Sequence, residues 1–160
     1  MKIGVLSDTH VPIISDEIPE AVARCFEGTD MILHAGDLVE ICVIDALKKI
    51  TPNVVAVSGN MDSEQLQALL PRKKMVKAGK YIIGLIHGWG APQGIEERIA
   101  KEFKNVDIIV FGHTHKPLKE TKQGILFFNP GSVTDKVFAK ENTVGILELG
   151  NTIKATIIKI

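Results

Sequence analysis

An excess of charge of either sign is missing from this chain: 19 Lys and Arg balance 19 Asp and Glu, for a formal net charge of zero. No global basic field exists to hold a nucleic-acid backbone or an anionic membrane surface, and the longest basic run, Arg72-Lys73-Lys74, is too short to track one. That run reads as a solvated strand edge whose charge blocks aggregation. Cysteine is scarce as well. Cys25 and Cys42 are not spaced C-x-x-C, which excludes a disulfide framework, and both read as buried thiols in helices. No stretch approaches the ~18 apolar residues of a membrane span. The apolar start reaches Asp8 too soon for a secretory leader, which needs roughly 7–15 apolar residues. The expected setting is cytoplasmic, without membrane contact.

What is present suits a compact fold. Of 160 residues, 45% are hydrophobic and 24% charged, and a chain of this size buries about 68–70% of its unfolded surface without metal or disulfide staples. No linker, repeat or low-complexity stretch interrupts it, so residues 1–160 read as a single domain. Apolar strand-like runs at 2–6, 31–33, 54–57 and 107–111 alternate with helical patterns at 19–26, 41–50, 63–70 and 93–103. Three hairpins are expected, turning at 78–79, 122–124 and 150–151. Alternation followed by hairpins predicts an α/β sandwich whose mixed sheets carry helices outside.

The ends of the strands carry the chemistry. The first runs into Ser7-Asp8-Thr9-His10, the second into His34-Ala35-Gly36-Asp37 and the third into Ser58-Gly59-Asn60-Met61-Asp62. Later runs end in His87-Gly88 and Gly112-His113-Thr114-His115. Ligands of α/β sheets bind beyond the carboxyl ends of strands. Asp8, His10, Asp37, Asn60, His87, His113 and His115 are therefore expected around one site. Every histidine of the chain lies in these segments. Imidazole, carboxylate and amide oxygen without thiolate suit Mn²⁺, Fe²⁺, Zn²⁺ or Ni²⁺. Seven such groups exceed one tetrahedral site and suffice for two metals if a carboxylate bridges. Two metals roughly 3.5–4 Å apart clamp an in-line displacement at phosphorus. His113-x-His115 places both rings on one face of an extended segment.

These motifs, in this order from residue 3 to about residue 133, resemble the calcineurin-like metallophosphoesterases. Asn129-Pro130-Gly131-Ser132 resembles the tail motif of the small bacterial and archaeal phosphodiesterase branch. The resemblance implies a four-layer αββα sandwich, with two mixed β-sheets flanked by helices. It implies one metal held by Asp8, His10 and His115, another held by Asn60, His87 and His113, and Asp37 bridging both. The cofactors implied are two divalent ions, Mn²⁺ first, with Ni²⁺, Fe²⁺, Zn²⁺ or Mg²⁺ as alternatives. The reaction implied is hydrolysis of a small phosphodiester by a hydroxide held between the metals, with some phosphomonoesterase activity. A homo-oligomer is compatible with the composition.

One departure from the family pattern concerns the leaving group. Many members carry a histidine after the asparagine, where this chain has Met61, and a thioether cannot donate a proton. General acid catalysis contributes about 10²–10⁴-fold, so leaving groups of low pKa are expected to be favoured. His34 and Asp62 are candidates for support from behind the ligands: His34 bonding a ligand or capping its strand, Asp62 orienting a ligand loop or the attacking water. Ser132 closes the floor of the site or simply completes a tight turn. Trp89 lies in a glycine-rich flexible loop over the site and either stacks on an aromatic group or stays a surface residue. A retromer subunit of eukaryotes resembles the same branch and serves as a protein-interaction scaffold. A catalytically weak metal-binding scaffold is thus the alternative to the enzyme.

Overall fold

The computed structural model describes residues 1–14 and 17–160. Its elements run β1 (Lys2–Leu6), α1 (Glu20–Phe26), β2 (Met31–His34), α2 (Cys42–Lys48), β3 (Val54–Ala56), α3 (Glu64–Leu69), β4 (Lys73–Ala78) and β5 (Tyr81–Ile86). They continue with α4 (Ile95–Ala100), β6 (Ile108–Val110), β7 (Leu118–Lys122), β8 (Ile125–Asn129), β9 (Thr143–Leu149) and β10 (Ile153–Lys159). Two five-stranded sheets result, in the orders β10-β9-β1-β2-β3 and β4-β5-β6-β8-β7. Strands β1, β2 and β3 are parallel, as are β5, β6 and β8, while three hairpins and the β1–β9 pair are antiparallel. Both sheets are mixed.

The pleat sorts side chains between faces. Ile3 and Val5 of β1 join Ile83, Leu85, Ile108, Val110 and Phe128 in a core between the sheets. Leu6, on the opposite face, packs with Val22, Phe26, Ile44 and Leu47 under α1 and α2. Ile109 and Phe111 meet Ile95, Ile99 and Phe103 under α4 on the far side. Three apolar layers between four layers of elements make the αββα sandwich. Each fully buried Leu, Ile or Phe contributes roughly 1.5–3 kcal/mol. Glycine seats the helices closely: a Cβ on Gly4 would lie 2.8 Å from the Phe26 ring, and one on Gly84 2.9 Å from Phe103.

The helices are shorter than the sequence pattern suggests. Gly94, in the left-handed region at φ 69°, opens α4 only at Ile95. The residues just past α2 and α4 close as tight turns, Ile50 N–H donating to the Leu47 carbonyl and Phe103 N–H to that of Ala100. Helices of six or seven residues are not self-supporting and hold through packing. Ser63 does cap α3, its Oγ accepting from Leu66 N–H at 3.4 Å. The two cysteines are not the buried pair expected. Cys42 is exposed, because Val43, Ile44 and Leu47 form the buried face of α2, and Cys25 is half-buried. Among the described residues no helix is long and apolar enough to cross a membrane.

Candidate metal centre

Parallel pairing brings the carboxyl ends of β1, β2 and β3 side by side, and backbone bonds extend the register into the loops. Asp8 N–H donates to the Gly36 carbonyl and His10 N–H to that of Asp37, both at 3.1 Å. Across the sandwich, His87 Nδ1 donates to the Ala35 carbonyl at 2.8 Å and Gly112 N–H to that of His87. Space between the loops is tight. A Cβ on Gly59 would lie 2.1 Å from Asp37 Oδ1, and one on Gly112 1.8 Å from Ser7 Oγ, so only glycine fits. Asp8, His10, Asp37, His113 and His115 all hold a left-handed backbone, with φ between 45° and 68°. Asp and His are among the side chains that tolerate this region best.

All seven sequence-derived candidates converge. Asp8, His10, Asp37 and His115 each offer one ligand atom, and these four atoms lie within 4.8 Å of one another. His115 Nε2 is 3.3 Å from Asp8 Oδ1 and 3.3 Å from His10 Nε2. Beside them, Asn60 Oδ1 is 3.2 Å from His87 Nε2 and 3.1 Å from His113 Nδ1. Asp37 Oδ2 stands between the two groups, 3.3 Å from His87 Nε2 and 3.9 Å from His10 Nε2. The outward ring nitrogens of three histidines are already engaged. His87 Nδ1 bonds Ala35 O, His113 Nε2 bonds Gly90 O at 2.9 Å, and His115 Nδ1 bonds Asp135 Oδ2 at 2.5 Å. Each thus presents its other nitrogen inward, toward carboxylate and amide oxygens. Such a cluster of facing lone pairs calls for cations, and a ring held by an outer acceptor is the usual bearing of a metal-ligating histidine.

Asp135 is the residue that sequence reading misses. It follows Asn129-Pro130-Gly131-Ser132, whose side chains tie the β8–β9 loop to the site: Ser132 Oγ donates to Asp8 O at 2.7 Å, and Asn129 Nδ2 to Gly112 O at 2.8 Å. Ser132 is therefore floor, fully buried, and its Oγ also accepts from Asp135 N–H. Asp135 is fixed further by the N–H groups of Val137, Phe138 and Ala139. A carboxylate three residues beyond the tail motif was the one available signal.

The supporting candidates take up defined places. His34 is fully buried; its Nδ1 accepts from Gly36 N–H, which leaves Nε2 to donate to Thr9 Oγ1 at 3.2 Å. It thereby joins the backbones that carry Asp8, His10 and Asp37. Asp62 accepts from Val39 N–H and Gly59 N–H, both at 2.7 Å, and so staples the β2 and β3 loops together. Met61 N–H donates to Asp37 Oδ1 at 2.8 Å, while its side chain is exposed.

Electrostatics follow from these contacts. Burial drives His34 down to about 3, so it is neutral at any ordinary pH. Burial opposes charge on His87 and His115 too, but the carboxylates beside them prevail and raise each to about 9: Asp37 and Asp8 for His87, Asp8 and Asp135 for His115. Asp37 is buried as well, yet its bonds to His87 and Met61 N–H hold it below the ordinary carboxylate range. Burial, only partly offset by Asp8 and Asp37, pulls His10 below its usual value. In the metal-free protein, protons on His87 and His115 stand where cations fit.

A groove of about 680 Å³ opens from Asn60 and His87, walled by Ile86, Gly88 and Trp89. The loop bearing Trp89 is braced. Arg98 of α4 donates to the carbonyls of Trp89, Ala91 and Gln93, so this is not the flexible loop its glycines suggest.

Comparison with known proteins agrees with the geometry. A protein of Methanocaldococcus jannaschii named "Probable metallophosphoesterase" is 40% identical over 137 residues, covering 84% of this chain and 69% of its own. An archaeal phosphodiesterase of known structure superposes over 100% of both chains with a TM-score of 0.81 and 26% identity. Vps29 from Entamoeba histolytica, solved with Zn²⁺, superposes over 99% of both chains with a TM-score of 0.77 and 26% identity. The model of the calcineurin-like phosphoesterase superfamily domain matches residues 1–152, and the chain belongs to that superfamily.

Proposed function

We propose that the chain is a dinuclear metal-dependent phosphodiesterase, with Asp8, His10 and His115 holding one divalent ion, Asn60, His87 and His113 the other, and Asp37 shared. The observation that carries this reading is the inward convergence of His10, His87, His113 and His115 nitrogens on Asp8, Asp37 and Asn60 oxygens. Two divalent ions bound there would acidify water and neutralise charge developing on a phosphoryl group. Mn²⁺ is the ion we place first, and the Zn²⁺ of the Entamoeba Vps29 supports a divalent occupant. The archaeal phosphodiesterase supports the diester as substrate class. The cytoplasmic setting expected from the sequence goes with this reading.

The chain's own residues hold and orient. Asp135, Ala35 O and Gly90 O hold the outer nitrogens of His115, His87 and His113, so that each ring's inner nitrogen would face a bound cation. Ser7 Oγ and His113 N–H bond the Asp8 carboxylate, and Met61 N–H bonds that of Asp37, fixing both against rotation. His34 and Asp62 spend their polar atoms on loop backbone and on the Thr9 hydroxyl, so neither supplies the proton that Met61 cannot. Substrates with acidic leaving groups therefore suit the site best.

The test is hydrolysis of bis-p-nitrophenyl phosphate and p-nitrophenyl phosphate with Mn²⁺, by wild type and Asp37→Ala. Metal-dependent hydrolysis that prefers the diester and disappears in the variant is the expected result. The scaffold alternative draws on the Vps29 likeness and on the exposed apolar pair Val137 and Phe138. Wild type that binds metal but is as inert as the variant would leave the scaffold as the function.

A further inference from the structure

The groove beside the centre is larger than a scissile phosphate alone requires. Besides Asn60 and His87 it is lined by Gln67, Arg72, Lys73 and Glu102. At about 680 Å³ it lies within the range of pockets that take whole small-molecule ligands, far more than a phosphodiester needs.

The charges along that lining are not equivalent. Lys73 Nζ is paired with Glu102, 2.6 Å from its carboxylate and 3.1 Å from its carbonyl. Gln67 is committed to the Asp62 carbonyl at 2.7 Å. Arg72 has no hydrogen bond or ion pair among the described residues. Its guanidinium is the uncompensated cation of the groove. The place of Arg72 is tied to the centre by backbone: Ser58 N–H donates to the carbonyl of Pro71 at 3.0 Å, joining the segment before Arg72 to the loop that carries Asn60. The Arg72-Lys73-Lys74 run is thus not uniform. Lys73 and Lys74 belong to the edge strand β4, and Arg72 precedes it at the groove.

A planar guanidinium with free donors matches a phosphate bidentately. Resting on the phosphodiesterase reading, we infer that Arg72 forms a subsite for a second phosphate, so that the substrate is a phosphodiester bearing a further phosphate group on its organic moiety, as in a phosphorylated nucleotide ester. The scissile diester lies against Asn60 and His87, and the second phosphate reaches Arg72 along the same groove. Glu102 is held by Lys73 and so offers little repulsion.

Two substrates with the same leaving group test this: thymidine 5′-(p-nitrophenyl phosphate) with and without a 3′-phosphate. In wild type loaded with Mn²⁺, the 3′-phosphate raises kcat/KM about tenfold, as expected of a charge-assisted contact. That ratio falls to about one in Arg72→Ala and is partly restored in Arg72→Lys. Using a ratio within each variant cancels differences in folding and metal loading. A wild-type ratio near one, or a ratio that survives in Arg72→Ala, overturns the inference while leaving the phosphodiesterase intact. If neither ester is hydrolysed, the phosphodiesterase reading fails, and equilibrium binding decides the subsite. Thymidine 3′,5′-bisphosphate then binds Mn²⁺-loaded wild type about tenfold tighter than thymidine 5′-monophosphate, a preference absent in Arg72→Ala. Equal binding of the two refutes the subsite.

Discussion

The centre has two halves built on different supports. On the floor side, Asp8 is fully buried and His115 leans on a carboxylate, Asp135. On the groove side, His87 and His113 lean on the neutral carbonyls of Ala35 and Gly90, and Asn60 contributes an amide in place of a carboxylate. A carboxylate behind an imidazole makes it a stronger base than a carbonyl does. On the two-metal reading proposed above, the floor half would retain its cation and the groove half, which faces incoming ligands, would exchange its own. Asymmetry of support, more than choice of ligand, is what distinguishes the halves, since both use two histidines.

The largest effect comes from abolishing the comparison. Asp37→Ala removes the carboxylate common to both halves, and turnover falls on the order of 10³-fold, with metal content by elemental analysis falling alongside it. Retained metal and turnover would mean that Asp37 is not shared. Sharpening the comparison requires a change on one side. Asp135→Asn keeps an acceptor behind His115 but loses its charge, and weakens metal binding at the floor half about 10–100-fold. A chelator titration resolves this as one shifted step and one fixed step; a common shift would contradict the division.

The proton acts on both halves alike. His87 and His115, each raised to about 9, keep a proton in the metal-free protein that a cation must displace. Apparent affinity at each half rises about tenfold per pH unit up to about pH 9 and levels above it. The sign reverses for the metal-free fold: the stability these protonated rings contribute is fully present below 6.5 and is lost as pH rises through about 9. Titrations with Mn²⁺ from pH 6 to 10 give the slopes, and a flat profile would show that neither ring binds metal. The smallest effect is expected from Arg98→Ala, which loosens the loop that presents Gly90 O to His113. It weakens the groove half about threefold and leaves the floor half unchanged. Equal weakening of both would show that the brace has no preference.

Adjacency of the seven candidate residues was legible because each lies in the loop that follows a strand, and parallel strands deliver their carboxyl ends together. Strand and hairpin positions were legible for a similar reason, since glycine punctuates them, as at Gly79 and Gly124 with φ of 63° and 82°. Helix ends were less so. Their last apolar residues, Ile50 and Phe103, pack against the sheets from turns outside the helix, so periodicity outruns the hydrogen bonds. Asp135 escaped notice because its partner His115 lies 20 residues away and no local spacing joins them. Arg72 was masked by its neighbours: composition shows three like charges in a row, while only the fold reveals that Glu102 satisfies Lys73.

The left-handed backbone of Asp8, His10, Asp37, His113 and His115 carries a consequence for the history of such a site. Each of these conformations costs an L residue about 1 kcal/mol. Glycine would relieve each of them, at the price of a ligand. Random drift on a lineage freed from chemistry therefore runs downhill, trading donors for a more relaxed chain. A centre that keeps all its donors in such a backbone is held against a gradient. Lineages of this fold that turn to other work have an inherent reason to lose catalysis before they lose shape.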